Sequence, residues 1–142
     1  MRRYAILLLA ATGLAGCQTA SNDFVLGPTD ADVTGTFGLS SINGGPLPIV
    51  AQVTTTDEWD LTADTLRISG DSTFTETSFY DVTSLSDGTV QKTQTVASGI
   101  FTVANKQITF TLVVGGTATF IGAVQGSMLT LVYNDSHFIY SR

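Results

Sequence analysis

From Val33 to the end, apolar and polar residues alternate with a period of two, in short runs separated by Gly, Asn, Asp and Ser. Phe37 and Leu39 alternate with Thr36 and Ser40, Leu66 and Ile68 with Thr65, Arg67 and Ser69, and Ile108, Phe110 and Leu112 with Thr109 and Thr111. A period of two is the signature of strands with one buried face. No stretch after Gln18 shows the 3.6-residue apolar spacing of a helix over three turns. Threonine occurs 23 times, a bias toward a β-branched residue that suits the exposed face of a strand.

The breaks between runs are short. Ser69-Gly70-Asp71-Ser72, Ser86-Asp87-Gly88, Ala104-Asn105-Lys106, Gly115-Gly116, Gln125-Gly126-Ser127 and Asn134-Asp135-Ser136 each separate two alternating segments. Connections of this length join antiparallel hairpins and leave no room for the crossover that parallel strands require. The expected fold is all-β, a small antiparallel up-and-down barrel of 8–10 strands that buries the apolar face by closing the sheet on itself. A two-sheet sandwich satisfies the same periodicity. In the barrel, Phe37, Leu39, Leu66, Ile68, Phe101, Val103, Ile108, Phe110 and Leu112 point inward. For a domain of this length a filled interior is expected in preference to a large cavity.

The first 17 residues read differently. Arg2 and Arg3 precede an apolar run from Ala5 to Ala11, and small residues lead to Cys17. This is the layout of a secretory signal, and the run is far shorter than the roughly 20 residues of a membrane-spanning helix. Leu14-Ala15-Gly16-Cys17 resembles the lipobox of bacterial lipoproteins. The resemblance implies cleavage before Cys17, a diacylglycerol on its sulfur and acylation of the new amino terminus. Gln18, where an aspartate commonly marks inner-membrane retention, implies an outer-membrane address. The expected organisation is therefore a signal peptide over residues 1–16, a lipidated tether over 17–31 and the barrel domain over 32–142. Losing residues 1–16 removes two of six basic residues and no acidic one, leaving four basic against twelve acidic residues, or −8. Such a charge repels a nucleic-acid backbone, so no nucleic-acid partner is expected.

A second resemblance covers the domain. Gly35-Thr36-Phe37-Gly38-Leu39, followed by Asn43-Gly44-Gly45-Pro46-Leu47-Pro48, is similar to the opening of small bacterial lipocalin-like lipoproteins. Leu66 to Phe74, Gly99 to Val103 and the closing Phe138-Ile139-Tyr140-Ser141-Arg142 continue the order, although Gly70-Asp71-Ser72 departs from the usual Asp-Gly turn. The resemblance implies a lipocalin-like barrel and carries over no catalytic residue.

Few residues suggest chemistry. Asp57, Glu58, Asp60 and Asp64 are the densest acidic group; their spacing matches no EF-hand, and a solvated loop is the expectation, with a weak calcium site as the alternative. Trp59 either plugs one end of the core or lines a ligand mouth. His137 is the only histidine and Cys17 the only cysteine, so no zinc set can assemble. No Gly-x-Ser-x-Gly elbow occurs around Ser98 or Ser127, and His137 is expected in the last hairpin turn. No cofactor, metal or enzymatic activity is expected. The expected function is that of an envelope lipoprotein, membrane-anchored through Cys17, with a structural or interaction role. The alternative is a binding module for a small apolar ligand or lipid, and an envelope protein is a further candidate partner.

Overall fold

The computed structural model describes residues 32–142; the expected signal, Cys17 and the tether lie outside the described residues. Ten strands follow in chain order: β1 (Gly35–Ile42), β2 (Gly45–Pro46), β3 (Ile49–Val53), β4 (Asp57–Ile68), β5 (Thr73–Ser84), β6 (Val90–Ala104), β7 (Gln107–Val114), β8 (Thr119–Gln125), β9 (Met128–Tyr133) and β10 (Ser136–Ser141). The six predicted breaks all fall in the connections between β4 and β10. Three connections are two-residue turns with both residues at positive φ: Asn43-Gly44, Asn105-Lys106 and Asn134-Asp135. That geometry matches the twist of the flanking strands and favours Asn, Asp and Gly. Three Asp-x-Thr sequences begin or end strands in the same manner. The carboxylates of Asp32, Asp71 and Asp87 accept hydrogen bonds from the backbone N–H of Thr34, Thr73 and Thr89.

All pairings are antiparallel, and β4 to β10 form a continuous meander. The first strand decides the architecture. β1 pairs with β10 through Gly38 to Ile42 and with β4 through Gly35 to Gly38. This closes eight strands into a barrel, so the sandwich alternative falls. Where β1 and β4 diverge, β2 pairs antiparallel with the end of β1, and β3 pairs with the first half of β4. The segment between them contains a cis Leu47-Pro48 bond.

The inward face follows the sequence parity at eight of its nine expected positions. Phe37, Leu66, Ile68, Phe101, Ile108, Phe110 and Leu112 are buried, and Leu39 is half-buried against them. Val103 is the exception at 49% exposed. It lies two residues before the Asn105-Lys106 turn and pairs with Ile108, which is itself fully buried. Phe110 stacks on Phe120 at 5.0 Å and meets Phe74 edge-on at 5.2 Å, so rings fill this part of the barrel. Two glycines let the wall come this close. A Cβ on Gly99 would collide with the carbonyl oxygen of Thr111, and one on Gly122 would lie 2.8 Å from that of Thr130. Thr65, Arg67, Thr75 and Thr77 lie on the outside of the β4–β5 pair.

Arg142 fastens the two ends of the domain together. Its guanidinium lies 5.0 Å over the Phe37 ring and donates to the carbonyl oxygens of Thr34 and Gly126. The first and last segments that carried the lipocalin-like resemblance are thus in direct contact.

Two expectations need correction. The acidic stretch from Asp57 to Asp64 is part of a 12-residue strand, not a solvated loop. Its pairing with β3 and β5 on both sides supplies the backbone partners that a loop would find in water. His137 stands within β10, not in the turn, because its backbone N–H donates to Asn43 Oδ1 and its carbonyl accepts from the Asn43 N–H, both at 2.8 Å.

Candidate functional site

The inward parity of β5 runs Phe74, Glu76, Ser78, Tyr80, so two polar residues and a phenol enter the barrel between aromatic positions. On β4, Asp64 stands opposite Ser78, and Leu66 opposite Glu76. Asp64 and Glu76 are therefore diagonal neighbours on one inner face, where long side chains can meet. They are 4% and 7% exposed. Tyr140 reaches them from β10.

The group is held by short hydrogen bonds. Ser78 Oγ donates to Asp64 Oδ2 at 2.5 Å, and Tyr140 Oη donates to Asp64 Oδ1 at 2.9 Å. Glu76 is also hydrogen-bonded to Asp64. Burial pushes the Asp64 carboxyl up to about 6, while the bonds from Ser78, Tyr140 and Glu76 work in the other direction. Burial raises Glu76 well above its usual 4.5, and the neighbouring Asp64 charge raises it further. Two carboxyls in contact cannot both ionise cheaply, so one proton stays on the pair. Burial and the Asp64 charge both favour the proton on Glu76. Tyr80 and Tyr140 are raised too, by burial first, and remain protonated donors. Glu76 Oε2 is buried with no hydrogen-bond partner among the described residues.

Glu76 is one of the residues that line a cavity of about 30 Å³. Leu39, Leu61 and Phe138 supply apolar walls, and Ala51 of β3 covers one side. The volume suffices for about one or two water-sized groups. The arrangement can hold and exchange one proton and can offer acceptors to a small donor. The carboxyls are bonded to each other and do not stand across a cleft, which is not the arrangement of a glycosidase pair.

The residues singled out in the sequence are distributed otherwise. Cys17 lies outside the described residues. Trp59 is half-buried and meets Tyr80 edge-on at 5.8 Å, so it backs one wall of the cavity through that ring. Asp57, Glu58 and Asp60 do not join Asp64. They are half-buried along β4, and Asp57 Oδ2 accepts from Thr56 Oγ1 at 2.6 Å. Among the described residues no three His, Cys, Asp or Glu side chains converge as a metal-ligand group. A wider hollow of about 460 Å³ lies between the far ends of β4, β5 and β6, lined by Asp57, Ser84, Asp87 and Gln91. Its walls are half-buried or exposed, and it lacks the buried polar groups of the smaller cavity.

Sequence reasoning missed Glu76 altogether and misplaced Asp64. The available signal was parity, since Glu76 stands two residues from Phe74 and Asp64 two residues from Leu66. A charged residue at an inward position is costly to bury and therefore informative. Comparisons with protein-family models, with curated proteins and with solved structures find no match to this chain. What the chain does is therefore argued from its own residues.

Proposed function

We propose that this chain is a lipid-anchored envelope lipoprotein, attached to the outer membrane through Cys17, whose lipocalin-like barrel has a structural or interaction role and no catalytic activity. The observation that carries the role is the filled interior. The cavity of about 30 Å³ is far below the several hundred Å³ typical of ligand pockets. Rings of Phe74, Phe110 and Phe120 occupy the space a large apolar ligand would need. The anchor rests on Leu14-Ala15-Gly16-Cys17 and the short apolar run before it. A lipoprotein carries several acyl chains, which makes attachment stable where one chain would be reversible. The lipocalin-like assignment is supported by the contact between the Gly35-Thr36-Phe37 strand and the terminal Arg142.

Fractionation of cells expressing the full chain tests the anchor. Wild-type protein is expected in the membrane fraction, with acyl mass on the processed chain, and Cys17→Ser in the soluble fraction. A mature form cut elsewhere and without added acyl mass would overturn it. A second reading, a binding module for a small ligand, is favoured by one observation: among the apolar walls of the cavity stands Glu76, which has an unpaired buried carboxyl oxygen.

A further inference from the structure

We propose that the cavity over Glu76 and Asp64 receives the ammonium head of a small alkylamine, held between the two carboxylates with its first carbons against Leu39, Leu61 and Phe138. The proposal rests on the ligand-binding reading and specifies the ligand's chemistry.

Glu76 is 7% exposed and lines the cavity, and its buried Oε2 has no hydrogen-bond partner among the described residues. Leaving a buried acceptor unpaired is unfavourable, so the position favours any donor that can reach it. Asp64 is already committed to Ser78 and Tyr140 and accepts from Glu76 as well. When both carboxyls ionise, the pair carries two negative charges in a buried site, and a cation relieves them.

The class of cation follows from the lining. A hard metal ion needs six to eight converging oxygens, and no third acidic group joins this pair among the described residues. Taking a metal would also require the Ser78 and Tyr140 hydroxyls to turn away from Asp64. An ammonium group carries three donors and no acceptor. It can bond Glu76 Oε2 and a hydroxyl while the Ser78 and Tyr140 bonds to Asp64 stay in place. Its alkyl stem suits the leucine and phenylalanine walls, which a hydrated ion would not. Tyr80, backed edge-on by Trp59, adds an aromatic surface beside the charge.

The head fits about 30 Å³, while a stem requires the half-buried side of the cavity where Ala51 lies. There β3 pairs with β4 alone, because β3 is the last strand of the sheet order. Its displacement would break only that one ladder. The proton balance is simple: Glu76 enters as the neutral acid, leaves its proton to solvent, and the ammonium replaces it as the positive partner.

Thermal melts and titration calorimetry on the domain, within the full chain carrying Cys17→Ser, test the proposal with n-butylamine hydrochloride, n-butanol, sodium butyrate and calcium chloride. Butylammonium alone is expected to raise the melting temperature in a saturable manner by mass action. Calorimetry in buffers of different ionisation enthalpy should report a proton released on binding. Glu76→Gln, which keeps the shape of the side chain, should weaken binding by about tenfold or more while remaining folded. Ala51→Leu, which reduces the cavity without touching the carboxyls, should weaken it too. Equal binding of butanol would overturn the ammonium assignment and leave the apolar pocket. A shift with calcium alone would replace it by a metal site. No shift with any of the four would remove the ligand-binding reading with it, and the anchor through Cys17 would stand on its own test. Undiminished butylammonium binding by Glu76→Gln would overturn the proposal outright.

Discussion

Raising the pH above about 4 should destabilise this domain, the opposite of a protein held by ion-paired carboxylates. Asp64 is the group that sets the size of the effect. Its carboxyl moves from 3.8 to about 6 in the folded state because it is buried. A folded value above the unfolded one means that the contribution is complete below about 3.8 and is lost as the pH rises, since the unfolded chain ionises first. At about 1.4 kcal/mol per pH unit the loss is about 3 kcal/mol, complete near pH 6. Asp64 is 4% exposed, so solvent screening reduces this little. Glu76, raised further by the Asp64 charge, continues the loss at higher pH. Asp32, Asp71 and Asp87 work on the other side: hydrogen bonds from Thr34, Thr73 and Thr89 lower them, so their contribution disappears as the pH falls through the usual carboxylate range. The stability maximum should therefore lie near pH 4–5. With a urea slope of about 1–3 kcal/mol per molar, the unfolding midpoint should fall by roughly 1–3 M between pH 4 and 6.5. Glu76→Gln cannot ionise, so its curve should fall less steeply with rising pH than that of the wild type. A wild-type midpoint that is flat or rising over pH 5–8, or a Glu76→Gln curve parallel to it, would refute a proton-sharing buried pair.

Three further outcomes are expected. Phe110→Ala removes a fully buried ring in contact with Phe74, Phe101 and Phe120 and should cost about 3–5 kcal/mol, while Thr109→Ser on the other face should cost under about 1 kcal/mol; urea melts of the two, side by side, check the inward assignment. Gly99→Ala should abolish soluble expression, because the Thr111 carbonyl behind it is backbone and cannot move aside, whereas Gly70→Ala, with open space around it, should express and melt like the wild type. Arg142→Ala should lower stability by about 1–2 kcal/mol, seen as a fall of several degrees in the thermal midpoint, through loss of its contacts with the Phe37 ring and the Thr34 and Gly126 carbonyls.

The strands and turns of this chain are properties of short segments, and short segments reveal them. Alternation around Phe37, Leu66 and Ile108 marks an inner face, and the Asn105-Lys106 and Asn134-Asp135 pairs mark hairpins, because both follow from backbone geometry over a few residues. The position of Asp64 shows where that reading stops. Counted back from Leu66 and Ile68 it points inward, yet counted forward from buried Leu61 it points outward. A register shift between Leu61 and Ala63 reconciles the two. One extra residue in the strand moves the carboxyl from solvent into the interior. No local pattern announces that bulge, since it is fixed by pairing with β5. Closure through β1 and β4 is likewise a pairing between Gly35 and Ile68, distant in sequence. The carboxyl group draws Asp64, Glu76 and Tyr140 from three strands, and burial of two acids beside one phenol becomes visible only when the sheet has closed. Periodicity belongs to each strand alone, whereas desolvation and proton sharing arise from neighbours that only the closed barrel brings together.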